Sequence, residues 1–133
     1  MSNPFDAAVA AKQAANSVIK VTSFTLPPKL REKYNTDIET VEIRELTLAD
    51  ELAAAKEAEV TDVGAAGLMI LSVAQSFVGT NGKRVPELER RKVYDSLPVG
   101  IRNLCQRAFA RVNYADVDDA EAFLESASTS MGV

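Results

Sequence analysis

The chain has 133 residues, a length typical of one domain with its own hydrophobic core. Its composition, with 47% hydrophobic and 26% charged residues, is that of a globular protein and not of a disordered one. It contains no histidine and one cysteine, which excludes Cys–His and Ser–His catalysis, an internal disulfide and most kinds of zinc site. The formal net charge of −4 argues against a dedicated nucleic-acid-binding protein, because such proteins are usually basic.

Neither a membrane segment nor a signal peptide is expected. No apolar run approaches the ~20 residues that a membrane-spanning helix needs, and the first residues lack the charged and apolar regions of a signal peptide. We therefore expect an intracellular protein with a single domain over residues 1–133. It would comprise an N-terminal helix and strand segment (1–37), a strand plus a helical core (38–127) and a loose tail (128–133).

The first third of the chain predicts one helix and two strands. Pro4 suits a first helical position and predicts a helix over residues 4–17. The β-branched and aromatic residues of 18–26 predict a strand, and imperfect alternation of apolar residues with acids predicts a second strand over 38–46. The connection at 29–36 is polar, and it is either a loop or a short helical turn.

The middle of the chain predicts two helices of different character. Thr47 and Asp50 have the spacing of a capping box and predict a helix over 48–59, with Leu48, Leu52 and Ala55 on one face. Residues 62–78 predict a helix that is apolar on almost every side, and such a helix is buried either in its own core or by another subunit. One helix is hard to surround completely in so small a domain, so we expect self-association.

The last third of the chain predicts a tight turn followed by helices. Asn81–Gly82 is a strong turn signal, which joins either two very short strands or two helices. A short charged helix is predicted over 87–96, an amphipathic helix over 98–113 and a last helix over 116–127. The apolar residues of the last helix are expected to point inward; they are Val117, Ala120, Phe123 and Leu124. The predicted fold is α+β and mainly helical, with an N-terminal helix and a short strand pair followed by a four-helix C-terminal part.

Charge is segregated along the sequence. Residues 37–62 hold nine acids and two bases, residues 83–111 hold eight bases and three acids, and residues 116–125 hold five acids. Blocks of opposite sign often make complementary contacts within a chain or between copies. Because the basic block has few interleaved aromatic residues, we expect a solvated or subunit-facing surface there and no nucleic-acid site.

No arrangement of residues predicts catalysis, a cofactor or a metal ion. The acids of 116–125 lack the spacing of a calcium loop, and the helix dipole explains acids at a helix start. Cys105 lies on an apolar helical stripe without a histidine to activate it, so we expect a small buried hydrophobe. The glycines form no phosphate-binding motif. We therefore predict a protein that is not an enzyme and has no cofactor.

Four segments occur in a characteristic order over residues 38–126. They are an acidic strand leading into a helix (IRELTLADEL, 43–52), a basic turn with glycines after an apolar helix (VGTNGKRV, 78–85), an arginine-bearing helix after Leu97–Pro98 (IRNLCQRAF, 101–109) and an acidic helix (FLES, 123–126). This order resembles the small tail assembly chaperones of tailed bacteriophages.

The resemblance implies a mostly helical assembly factor without enzymatic activity. Proteins of that family bind the long tape measure protein in the host cytoplasm before the tail tube forms around it, and they are generally absent from finished particles. Residues 1–37 do not match the family pattern. They leave open the alternative of a structural virion protein, which would be a minor tail, baseplate or connector component located in the virion tail.

A chaperone for a long helical protein needs an apolar surface that covers the apolar stripes of its partner. We expect helix 62–78 to provide this surface, together with one face of helix 98–113. The alternative is that both helices pack against each other as the core of this domain. The expected partner is the tape measure protein or another tail protein. The residues predicted to contact it are Leu68, Ile70, Leu71, Phe77, Arg102 and Arg111.

Overall fold

The structure, a computed structural model, describes the backbone of residues 19–131 and the side chains of residues 19–126. The helix predicted over residues 4–17 lies outside this range. The described residues are mainly helical and form one antiparallel sheet, which confirms the α+β fold class. In chain order the elements are β1 (Val21–Thr25), α1 (Pro28–Tyr34), β2 (Thr40–Arg44), α2 (Leu48–Thr61), α3 (Gly64–Ser76), β3 (Phe77–Thr80), β4 (Lys83–Arg84), a 3-10 turn (Glu87–Glu89), α4 (Arg90–Ser96), α5 (Val99–Asn113) and α6 (Val117–Met131).

The predicted strand pair is present, and two further strands extend it. The strands lie in the order β1-β2-β3-β4, each antiparallel to its neighbour. Val41 and Ile43 of β2 are buried in the same cluster as Ile101 and Phe109 of α5. Successive residues of a strand point to opposite faces, so Val41 and Ile43, which are two positions apart, lie on the same face of the sheet. This face packs against the helices. The segment between β1 and β2, for which a loop or a helical turn was expected, forms α1.

The Asn81–Gly82 turn joins two short strands, β3 and β4. Asn81 and Gly82 have φ values of 54° and 73°, as a tight two-residue hairpin requires. The Asn81 side-chain oxygen also accepts a hydrogen bond of 2.6 Å from the backbone N–H of Glu39, which ties the turn to the start of β2. The chain must be extended before this turn, so the helix predicted over 62–78 ends at Ser76 and Phe77 begins a strand.

The core lies between the sheet and helices α3, α4 and α5. Ile101, Cys105 and Phe109 of α5 are buried in it, so the apolar face predicted for helix 98–113 packs within this domain. Burial raises the pKa of the Cys105 thiol to about 12, and the thiol is therefore protonated and unreactive at neutral pH. At the end of α5, the Asn113 side-chain oxygen accepts a 2.7 Å hydrogen bond from the backbone N–H of Leu46.

The last helix differs from its prediction in two ways. The helix α6 continues to Met131, because no glycine or proline interrupts it, and the tail expected to be loose from residue 128 is helical to that point. Three of its apolar residues, Val117, Phe123 and Leu124, are exposed and do not point inward, since α5 already fills the core; the exposed fraction is 71% for Phe123. Ala120 is half-buried. An amphipathic pattern identifies an apolar face but does not identify what covers it.

The predicted capping box at the start of α2 is confirmed. The Thr47 hydroxyl accepts a hydrogen bond from the backbone N–H of Asp50 at 3.2 Å, and the Asp50 carboxylate accepts one from the backbone N–H of Thr47 at 2.9 Å. Arg44 donates to the same carboxylate at 2.8 Å. Burial opposes ionisation of Asp50, but the hydrogen bonds from Arg44 and Thr47 outweigh it and hold the pKa of this carboxyl below its ordinary value.

Removal of the Thr47 hydroxyl is expected to destabilise the protein. Thr47→Ala leaves one N–H of the first turn of α2 without its acceptor, which costs about 1 kcal/mol of unfolding free energy. Urea unfolding followed by circular dichroism measures this loss. Ser72→Ala is the matched control, because the Ser72 hydroxyl only donates to the Leu68 carbonyl four residues earlier on an exposed turn. Equal stability of the two variants would contradict the prediction.

A candidate partner-binding surface on the α2–α3 hairpin

Helices α2 and α3 form a helical hairpin with a short connection at Asp62–Val63. Ala54 and Ala58 of α2 are buried against Leu71 of α3, and these three residues form a small cluster separate from the main core. The small alanine side chains let the two helices approach closely. The opposite face of α2, on which Leu48 and Leu52 lie, is left exposed.

The two halves of α3 have different surroundings. Leu71, Val73 and Ala74 in its second half are buried, and Val73 and Ala74 belong to the main core. Leu68 and Ile70 in its first half are exposed. Of the two alternatives predicted for this helix, burial in the chain's own core applies to Leu71, Val73 and Ala74 in the second half. Burial by another subunit stays a prediction. The first half extends past the core together with the end of α2.

Four exposed aliphatic residues lie at this free end, and we call them the hairpin surface. Their exposed fractions are 76% for Val60, 44% for Val63, 37% for Leu68 and 50% for Ile70. At a rise of 1.5 Å per residue, Ile70 lies about 9 Å from the start of α3, so all four side chains lie near the turn. Leu68 and Ile70 are two residues apart and therefore lie on different sides of α3. The hairpin surface thus surrounds the end of the hairpin and is not one flat patch. Single exposed apolar residues are common, but several at one end of a hairpin favour an interaction site.

Gly67 shapes the end of the hairpin. A Cβ atom built on Gly67 would clash with the side chain of Val63, so any larger residue would force Val63 to move. The glycine thus allows the valine to fold back over the first turn of α3. This contact positions Val63 as part of the hairpin surface.

The six residues predicted to contact a partner do not lie on one surface. Leu68 and Ile70 lie on the hairpin surface. For Leu71 and Phe77 the prediction is wrong, because both are buried in the chain itself. Phe77 has an exposed fraction of 0%, and its ring centroid lies 5.8 Å from that of Tyr94. The helical pattern places Phe77 in the helix predicted over 62–78, whereas in the structure it begins a strand and its side chain points into the core.

The two predicted arginines do not join the hairpin surface. The Arg102 Nε atom donates a 3.0 Å hydrogen bond to the Leu97 carbonyl, so this side chain secures the connection between α4 and α5. Arg111 lies at the other end of α5, where it borders β1 together with Lys20 and Phe24. The sequence pattern did not single out Val60 and Val63, although two aliphatic residues beside the polar Thr61–Asp62 turn are a signal for such a surface.

The described residues contain no other site that points to chemistry. No group of three or more His, Cys, Asp or Glu side chains within residues 19–126 could hold a metal ion. No helix in the described part of the chain is long and apolar enough to cross a membrane. No protein-family model matches the chain, and neither does any curated protein or solved structure with which it was compared. The functional argument therefore depends on the hairpin surface and on the residues that surround it.

Two substitutions separate the surface role of Ile70 from the core role of Phe77. Phe77→Ala removes a fully buried ring and is expected to cost about 3–5 kcal/mol of unfolding free energy. Ile70→Asp changes a half-exposed side chain and is expected to cost less than about 1 kcal/mol. Chemical unfolding monitored by circular dichroism gives both values. A large loss for Ile70→Asp would place Ile70 in the core and remove it from the hairpin surface.

Proposed function

We propose that this chain is a non-enzymatic phage tail assembly chaperone that binds the tape measure protein and covers its apolar helical surface during tail assembly. The observation that carries the proposal is the hairpin surface, where four aliphatic side chains extend beyond a core that is already complete. The order of sequence segments over residues 38–126, which resembles that chaperone family, adds the identity of the partner.

The chemistry of the hairpin surface fits an apolar helical stripe. None of its four side chains carries a charge or a hydrogen-bonding group, so it selects for apolar character and helical shape and not for one exact sequence. The surface lies on helices, which hold its side chains in place before binding. A net charge of −4 helps to keep a complex with an apolar partner in solution.

The size of the hairpin surface predicts weak binding by one copy. Burying each partly exposed side chain contributes roughly 1 kcal/mol, and a total of about 4 kcal/mol corresponds to a dissociation constant near the millimolar range. The costs of association weaken this further. Stable coverage of a long partner therefore requires several copies bound along it, so that neighbouring contacts act together. Weak single contacts also allow release when the tail tube replaces the chaperone.

The proposal predicts that charge on the hairpin surface abolishes binding to the tape measure protein. We expect the double variant Val60→Asp/Ile70→Asp to remain folded. After co-expression, the amount of tape measure protein that co-purifies with it is expected to fall at least about tenfold, because each buried carboxylate opposes the apolar contact. Leu88→Asp is the matched control, since Leu88 is 99% exposed and lies outside the hairpin surface. Equal loss for the control variant would contradict the assignment of the surface.

A second measurement tests the role during assembly. Quantitative mass spectrometry compares the amount of this chain in the assembling lysate with the amount in purified particles. Abundance in the lysate together with absence from particles is expected for an assembly chaperone. A fixed copy number per finished particle would contradict the proposal and would favour a structural virion protein.

A further inference from the structure

The helix α6 carries an apolar stripe that no described part of the chain covers. Val117, Ala120 and Leu124 follow one another at i, i+3 and i+7, which places them on one side of a helix. Val117 and Leu124 are exposed, as is Phe123 at the edge of the stripe. An amphipathic helix with its apolar side exposed is a candidate for docking on another surface.

Acidic residues follow one edge of this stripe. Glu121 lies close to the angular position of Val117 and Leu124 on a helix with 3.6 residues per turn, and Glu125 follows one turn later. Asp118 lies on the same edge one turn before Glu121, whereas Asp119 lies on another side of the helix. The helix therefore presents an apolar stripe bordered by carboxylates, of which Glu121 and Glu125 are about 6 Å apart.

A groove of matching character runs between α5 and β1. It contains two neighbouring cavities of about 240 and 350 Å³, and both are lined by Phe24 and Arg111. The floor of the first cavity includes the buried side chains of Leu26, Val41 and Ala108. We call this feature the α5–β1 groove.

The rim of the α5–β1 groove carries more bases than acids. Arg107 and Arg111 stand one helical turn apart on α5, and Lys20 lies beside the second cavity together with one acid, Glu45. Within the described residues, no ion pair joins either arginine to an acid, whereas Arg31, Arg44 and Arg91 all have acidic partners. Among the described residues, the rim therefore carries a net positive charge.

The stripe of α6 and the α5–β1 groove match in length and in charge. The groove follows α5 from Leu104 to Val112, about 12 Å, and the stripe from Val117 to Leu124 spans about 10 Å. The spacing of Arg107 and Arg111 equals the spacing of Glu121 and Glu125, so both pairs can meet when the stripe enters the groove.

We propose that α6 of one copy docks in the α5–β1 groove of a second copy, and that the second copy returns the same contact. Each chain carries both halves of the interface, so in a two-fold dimer both grooves are filled and both apolar stripes are covered at once. The carboxylates of the incoming helix pair with Arg107 and Arg111, and its apolar stripe covers Phe24 and Leu104. This interface is separate from the hairpin surface and does not depend on the proposed chaperone function.

The connection between α5 and α6 favours docking on another copy. The backbone N–H of Tyr114 donates a 3.0 Å hydrogen bond to the Ala110 carbonyl, and the Tyr114 ring meets the Phe109 ring edge-on at a centroid distance of 5.7 Å. These contacts fix the direction in which the chain leaves α5. In that direction no described part of the chain covers the apolar stripe of α6 or fills the α5–β1 groove.

Complementary charge reversal tests the proposal with the full-length chain. Sedimentation velocity over a range of protein concentrations is expected to give a dimer for the wild-type chain. Arg107→Glu/Arg111→Glu and Glu121→Lys/Glu125→Lys are each expected to weaken dimerisation by at least about tenfold, because like charges then face each other. Lys56→Glu/Lys92→Glu is the matched control for the arginine variant, since it changes the net charge by the same amount at exposed lysines outside the groove.

Mixing the two reversed variants distinguishes docking between copies from folding back within one chain. In the mixture, each groove meets a helix of opposite charge on the other variant, so dimers are expected to reappear. Leu124→Asp is expected to abolish the dimer without altering either charged edge. The proposal is overturned if the wild-type chain is monomeric at all concentrations, if the reversed variants dimerise like the control, or if their mixture remains monomeric.

Discussion

The burial of Phe77 where α3 passes into β3 constrains the arrangement of the surrounding elements. Its backbone pairs with Ile43 in the sheet, and its ring packs near Tyr94 of α4. A fully buried aromatic ring contributes several kcal/mol, so the end of α3 is held firmly against the sheet. The start of the same helix, more than two turns away, lies beyond the core. Between the two ends, Ala54 and Ala58 of α2 pack against Leu71 of this helix. One anchored helix thereby carries both core residues and an exposed apolar end.

The ion pairs of the described residues connect elements but contribute little to overall stability. Arg44–Asp50 joins β2 to α2, and Arg91 joins α4 to α2 through Glu57. Partly exposed pairs of this kind are worth at most about 1 kcal/mol each. Segregated charge therefore matters more for which surfaces can meet than for whether the chain folds. The unpaired rim of the α5–β1 groove and the acidic edge of α6 are the main examples.

The side chains of Cys105 and Tyr94 are buried in the core. Burial raises the pKa of Tyr94 to about 12 as well as that of Cys105, so both remain protonated at neutral pH. The accessible features on which the proposals depend are aliphatic side chains on helices and exposed charges. Such features bind other macromolecules by shape, apolar contact and electrostatic complementarity, which is the kind of activity that both proposals assign to this chain.

The sequence by itself determined the elements whose signals are local. The capping box at Thr47, the tight turn at Asn81–Gly82 and the apolar face of α5 depend on neighbouring residues only, and all three are present. Only the tertiary structure decided which apolar faces are covered. It buried Phe77 and Leu71, left Ile70 and the stripe of α6 exposed, and paired β3 with β2. A helical or strand period records that a side chain is apolar, but burial depends on segments distant in sequence, and no local pattern contains that information.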